Sequence, residues 1–175
     1  MIFNKNKRCP QSLSIWLLPN NEVKKHLYQE IVKFSNKYNT PIFNPHVTLI
    51  SNLICDEKVL LDKIENLIHF IPPFKIYFSN ISFFDEYFQC LFIKIKKTKE
   101  LIRARQLFYD KLAILDKSYM PHLSLIYGDF SIKEKEHMVC LFNKKYNNFE
   151  VKDIALVFSD EINLKWEVIR SFSLR

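Results

Sequence analysis

The sequence predicts an α+β fold in which largely antiparallel sheets are flanked by helices. Segments with strand-like and with helical spacing succeed each other along all 175 residues. Two pairs of strand-like segments are joined by short turns, so they read as antiparallel hairpins rather than as crossovers of a parallel sheet. One hexapeptide pattern, Pro-His-apolar-hydroxyl-Leu-Ile, is written twice, as PHVTLI at Pro45–Ile50 and PHLSLI at Pro121–Ile126. That repetition divides the chain into two related blocks.

Ser12–Leu18 is an apolar run closed by Pro19-Asn20-Asn21, which predicts a strand and a turn. Glu22–Tyr38 places Val23, Leu27, Ile31 and Phe34 at helical spacing, and Asn39-Thr40-Pro41 ends it. His46–Leu53 is the next strand. Asp56–Phe70 is helical through Val59, Leu60, Ile64 and Leu67, with Asp56 as its cap and Pro72-Pro73 beyond it. Lys75–Phe84 and Phe88–Lys96 form a hairpin across Asp85-Glu86-Tyr87. Thr98 caps a helix over Thr98–Leu115, with Leu101, Ala104, Phe108 and Leu112 on one face. His122–Tyr127 is a strand and Ser131–Tyr146 a helix, whose lysines over Lys133–Lys145 read as a solvated face. Phe149–Ser159 and Trp166–Leu174 close the chain as a second hairpin. No linker rich in Pro, Gly or Ser intervenes, so residues 1–175 read as one bilobal domain with an internal pseudo-duplication.

Composition narrows the function. Lys and Arg number 26 against 19 Asp and Glu, a net charge of +7, which favours anionic partners. Gly128 is the single glycine, which excludes Gly-rich phosphate loops. Cys9, Cys55, Cys90 and Cys140 contain no Cys-x-x-Cys pair and read as free thiols. No His, Asp and Glu cluster has metal-ligand spacing, so no metal or other cofactor is expected. No run approaches a membrane span, and the N-terminal stretch lacks the apolar core of a signal peptide. A soluble, cytoplasmic monomer is the expectation.

The chemistry lies in the repeat. Residues i and i+2 of a strand project from one face, so His46 and Thr48 share a face, as do His122 and Ser124. If the two blocks pack with approximate two-fold symmetry, one cleft holds two imidazoles and two hydroxyls. That set suits hydrolysis at phosphorus. A neutral imidazole takes a proton from water and a protonated one delivers a proton to the leaving alkoxide. The hydroxyls donate to the phosphate oxygens, where charge develops. With 15 Ser and Thr in the chain, chance would give about 0.4 His-x-Ser/Thr tripeptides from the five histidines. Two within matching hexapeptides is a stronger signal. His26, His69 and His137 fall on predicted helices without such a hydroxyl and read as surface residues.

His46-Val47-Thr48 and His122-Leu123-Ser124 resemble the paired motifs of the 2H phosphoesterase superfamily. SIWLLP at Ser14–Pro19, TPIFNPHVTL at Thr40–Leu49 and YMPHLSLIYGD at Tyr119–Asp129 are most similar to its eukaryotic-type cyclic phosphodiesterases. The resemblance implies a bilobal, LigT-like α+β fold around a central cleft. It implies metal-independent opening of ADP-ribose 1″,2″-cyclic phosphate to ADP-ribose 1″-phosphate, a step after tRNA splicing, and of nucleoside 2′,3′-cyclic phosphates to 2′-phosphates. By the same analogy His122 acts as base on water and His46 as acid, a division that the residues themselves leave open. The alternatives are an RNA-end 2′,3′-cyclic phosphodiesterase and a non-catalytic nucleotide- or RNA-binding protein on this scaffold. The resemblance also implies a phosphate-contacting Tyr127. Strict alternation turns Tyr127 away from the cleft, unless Gly128 marks a twist at the strand end that returns it. Trp16 shares a face with Ser12 and Ser14, where an indole stacks on a base, lines the cleft or packs in the core. Phe43-Asn44 stands where the family more usually has an acidic residue before Pro-His, and the cysteines do not reproduce the pairings of some plant relatives.

Overall fold

A computed structural model describes residues 11–114, 118–142 and 145–175. It contains eight strands and four α-helices among those residues: β1 (Gln11–Leu18), α1 (Asn21–Tyr38), β2 (Val47–Leu53), α2 (Glu57–Leu67), β3 (Phe74–Ser82), β4 (Leu91–Ile95), α3 (Lys99–Leu112), β5 (His122–Ile126), α4 (Ile132–Leu141), β6 (Asn148–Val151), β7 (Asp153–Asp160) and β8 (Lys165–Ser173). Short 3₁₀ turns occupy Ile68–Phe70 and Tyr87–Gln89. The strands form two four-stranded antiparallel sheets, ordered β2-β1-β7-β8 and β5-β4-β3-β6.

The two histidine strands, β2 and β5, are the terminal strands of their sheets and lie against one another. An unpaired sheet edge exposes backbone donors and acceptors; here each sheet's histidine edge is covered by the other sheet. The repeated unit is strand–helix–strand, β1-α1-β2 and β4-α3-β5, so each histidine strand pairs with the strand preceding its helix. The hairpins are exchanged relative to chain order: β3-β4 builds the sheet of His122, and β7-β8 builds the sheet of His46.

The helices form where the apolar spacing placed them. Val23, Leu27, Ile31 and Phe34 of α1 are buried, as are Leu101, Ala104, Phe108 and Leu112 of α3. The Asp56 carboxylate accepts from Val59 N–H at 3.1 Å and Thr98 Oγ1 from Leu101 N–H at 3.3 Å, so both predicted caps are made. Ser131 and Glu134 add a reciprocal capping box at the start of α4. One apolar core runs from Leu13 and Leu17 through Ile64, Phe108 and Leu123 to Phe172.

Several expectations are corrected. The segment Phe149–Ser159 is two strands, because the chain leaves one sheet for the other at exposed Lys152. Before that point Phe149 and Val151 alternate into the core, and after it Ile154–Val157 is buried on both faces. Helix α3 ends at Leu112 because Ala113 turns left-handed, with φ 53°. Helix α4 ends at Leu141, where Phe142 is already extended. The ends expected for these helices run into Leu115 and residues 143–144, outside the described residues. Val59 is exposed, so the stripe of α2 is Leu60, Ile64 and Leu67. Lys135 does not belong to a solvated face: it is 1% exposed, and its ammonium donates to Phe84 O at 3.1 Å and Asp85 Oδ1 at 2.9 Å. His26, half-buried, packs edge-on against Tyr146, while His69 and His137 are exposed. Cys55, Cys90 and Cys140 are free, and Cys9 lies outside the described residues.

Candidate active site

A cavity of about 280 Å³ opens where β2 and β5 lie against one another. His46, Thr48, His122, Ser124, Tyr127 and Trp16 all line it. The cavity therefore gathers every candidate site residue singled out in the sequence, Trp16 from β1 and Tyr127 from just beyond β5 included.

The histidines are held alike. His46 Nδ1 lies 2.7 Å from the Asn44 carbonyl, and His122 Nδ1 lies 3.0 Å from the Met120 carbonyl. A carbonyl only accepts, so Nδ1 carries the hydrogen in both rings and leaves Nε2 with the lone pair. In each case the accepting residue precedes a proline, which restricts it to extended backbone and fixes where its carbonyl points. The doubled Pro-His is thus a doubled tautomer lock.

The surroundings of the two rings differ. The Trp16 indole lies flat on the His46 imidazole, with centroids 3.4 Å apart and planes 4° from parallel. Phe43 meets His46 edge-on at 6.5 Å. Burial pushes His46 down to about 3, against a smaller upward pull from the Asn44 carbonyl and a further push down from His122. Burial also lowers His122, with the Met120 carbonyl opposing it. Both imidazoles are therefore neutral near pH 7, and His122 lies close enough to oppose a charge on His46.

Tyr127 reaches the cavity because β5 ends at Ile126, which breaks the alternation. The next residue, Gly128, has φ +156°, and a Cβ there would lie 2.5 Å from the Phe130 ring. The chain's single glycine is thus the residue this turn requires. The Tyr127 ring stacks on Phe43 at 4.0 Å and tilts toward Trp166 at 5.5 Å. Burial raises its hydroxyl above the ordinary phenol range, while a hydrogen bond with Ser124 pulls the other way. The Ser124 hydroxyl lies 3.4 Å from Phe88 O. Trp16 has one ring face committed to His46, so the indole positions an imidazole.

The sequence model of the family described as "Cyclic phosphodiesterase-like protein" matches residues 11–174. The chain belongs to that family. It is 24% identical over 125 residues to the cyclic phosphodiesterase of Arabidopsis thaliana, covering 71% of this chain and 69% of that protein. The fold is that of E. coli LigT, solved in complex with 3′-AMP: TM-score 0.60, 13% identity, 95% of this chain and 99% of that one covered. The protein TT0787 of Thermus thermophilus superposes with a TM-score of 0.62 at 17% identity, over 94% and 98% of the two chains. The chain is a phosphodiesterase hydrolase of the 2H superfamily with its LigT-like fold.

The cavity of this phosphodiesterase also holds residues that strand patterning missed. Ser159 lines it, its hydroxyl 3.4 Å from that of Ser14, which with Ser12 lies on the face read for Trp16. Phe88 and Gln89 enter from the turn between β3 and β4, and Glu161 and Trp166 from the β7–β8 hairpin. Trp166 stands opposite Ser159 in the β7–β8 register, so its place follows once that hairpin is known to border β1. Ser51 faces the same cavity as Thr48, because bulges in the β1–β2 ladder shift the parity of the strand. No helix among the described residues is long and apolar enough to cross a membrane.

Proposed function

We propose that the chain hydrolyses ADP-ribose 1″,2″-cyclic phosphate to ADP-ribose 1″-phosphate, and nucleoside 2′,3′-cyclic phosphates to 2′-phosphates, without a metal. The observation that carries this reading is the pair of imidazoles, each locked by Nδ1 to a carbonyl and lining one cavity with two hydroxyls. His122 takes a proton from water as its oxygen bonds to phosphorus. The phosphorus–oxygen bond to the ribose 2″-oxygen breaks, and His46 delivers its proton to that oxygen. Thr48, Ser124 and Tyr127 hold the non-bridging oxygens.

His46 must be protonated to act as the acid, yet burial holds it near 3. That displacement from 6.5 is worth about 5 kcal/mol. A phosphodiester anion about 4 Å away returns about 4 kcal/mol in a partly screened site. The indole under the ring adds about 1–2 kcal/mol for the cation. The anion thus returns most of the displacement, and the indole favours the cation throughout, so substrate binding shifts His46 toward its charged form.

The domain reading is one bilobal unit spanning 1–175, supported by the shared core and the paired strand–helix–strand units. One chain supplies both histidines, so a monomer suffices. The proposed setting is the cytoplasm, after tRNA splicing, with RNA ends as the alternative substrate. The test is turnover in EDTA of ADP-ribose 1″,2″-cyclic phosphate, 2′,3′-cyclic AMP and a short RNA ending in a 2′,3′-cyclic phosphate. Fast turnover of the two small substrates with the RNA a poor one is expected. Preference for the RNA moves the protein to end processing, and binding without turnover leaves a recognition protein.

A further inference from the structure

Beside the histidine cavity lies a second one, of about 250 Å³. Thr48, Ser51, Gln89 and His122 line both, so the two adjoin through the reacting centre. The second cavity is completed by Arg105, Tyr109 and Tyr119. The charges of the two differ. Among the described residues, no lysine or arginine lines the histidine cavity, and Glu161 does. The second is lined by a guanidinium and by no carboxylate among those residues.

That guanidinium is fixed in place. It packs on the Tyr109 ring at 4.0 Å and on the Tyr119 ring at 4.1 Å, and it donates to the Tyr109 hydroxyl and to Ser118 O. The Tyr119 hydroxyl in turn donates to Thr48 O at 3.2 Å, across the two sheets. The cation is thereby held in register with the first His-x-Thr motif, and a planar guanidinium suits phosphate oxygens.

We propose that this annex binds a second phosphate of the substrate, attached to the same ribose that carries the cyclic phosphate. The proposal rests on the reading of the histidine cavity as the seat of the cyclic phosphate. It sets a substrate class: cyclic phosphates that bear a further phosphate, as a 5′-phosphoryl group or a pyrophosphate, are preferred over nucleoside cyclic phosphates that bear none.

The experiment compares kcat/KM for 2′,3′-cyclic AMP with that for 5′-phosphorylated 2′,3′-cyclic AMP. The wild type is expected to prefer the phosphorylated compound by about 10- to 100-fold, the range for a charge-assisted hydrogen bond. Arg105→Gln should bring that ratio close to one, and Arg105→Lys should keep part of it. Ser118→Asp, which sets a carboxylate beside the intact guanidinium, should lower the ratio and stands in if the Arg105 variants fail to fold. Equal kcat/KM for the two compounds in the wild type, or an unchanged ratio in folded Arg105→Gln, overturns the annex. If neither compound is hydrolysed, the catalytic reading fails by itself. Equilibrium binding of adenosine 3′,5′-bisphosphate against adenosine 3′-phosphate, wild type beside Arg105→Gln, then decides the annex: a preference lost in the variant supports it, and none in the wild type overturns it.

Discussion

Replacing Trp16 by leucine tests the proposed division of labour between the histidines. The indole is 3% exposed and lies 3.4 Å from the His46 ring. A desolvated cation–π contact of this kind is worth up to about 2 kcal/mol, and only while His46 is protonated. Losing it should lower kcat by up to about 30-fold with KM little changed. The sign on the pH axis follows. The variant destabilises the imidazolium alone, so His46 in the substrate complex releases its proton at lower pH, and the alkaline limb of the kcat profile moves to lower pH. Trp16→Phe should fall between. Leucine is smaller and costs roughly 2–4 kcal/mol of stability, so rates are measured well below the unfolding midpoint with 2′,3′-cyclic AMP in EDTA. A folded Trp16→Leu protein with wild-type kcat and an unmoved alkaline limb would refute the argument that the stack charges the acid.

His46→Asn and His122→Asn should each lower kcat by about 10²–10⁴ while the far-ultraviolet circular dichroism stays native; more than a tenth of the wild-type rate in either would end the two-imidazole chemistry. Stability should fall as pH drops below 6.5, because His46, held near 3 when folded, stays neutral while its unfolded counterpart takes a proton. The loss is about 2–3 kcal/mol by pH 4.5, read as urea midpoints, and His46→Asn should flatten it. Gly128→Ala should cost about 1–3 kcal/mol and lower kcat by shifting Tyr127; adding Phe130→Ala removes the 2.5 Å clash but not the strain at φ +156°, so only part returns. Lys135→Met should change stability by only about 1 kcal/mol, since the Asp85 side chain it leaves is 91% exposed and returns to water, whereas Lys135→Ala leaves a cavity and costs about 2–3 kcal/mol.

What could be read from the chain and what could not separates along a physical line. Alternation within a strand is local, so His46 with Thr48 and His122 with Ser124 were legible. Helical spacing is local, so the buried faces of α1 and α3 were legible too. Tyr127 was legible only through the resemblance and the neighbouring Gly128, because its direction depends on β5 stopping one residue earlier. Trp166, Ser159 and Gln89 were not, because they join the cavity through pairings distant in sequence. The exchange of hairpins between the sheets is invisible for the same reason: both hairpins have turn chemistry that closes them, and nothing local says which sheet each one extends. Lys135 is buried by the Phe84–Asp85 turn, fifty residues away, which helical periodicity within α4 does not register.

The repetition of Pro-His has a reason that combines both kinds of information. A strand offers each face one residue in two, so a single short strand presents one imidazole with one hydroxyl beside it. In-line displacement at phosphorus needs a proton removed on one side and delivered on the other, which a second strand from the opposite side supplies. Each imidazole must also keep its lone pair at Nε2, and the carbonyl set by the following proline secures that locally, at Asn44 and again at Met120. The hydroxyl two residues on and the apolar residues between need no long-range help. What the sequence leaves to the fold is the meeting of the two strands, and the sheets achieve it by covering each other's edge. The same edge contact brings Tyr119, three residues before the second histidine, onto the Thr48 carbonyl of the first motif. Any substitution that loosens β2 from β5 should therefore lower kcat before it lowers stability, because the acid and base are separated while each sheet remains intact.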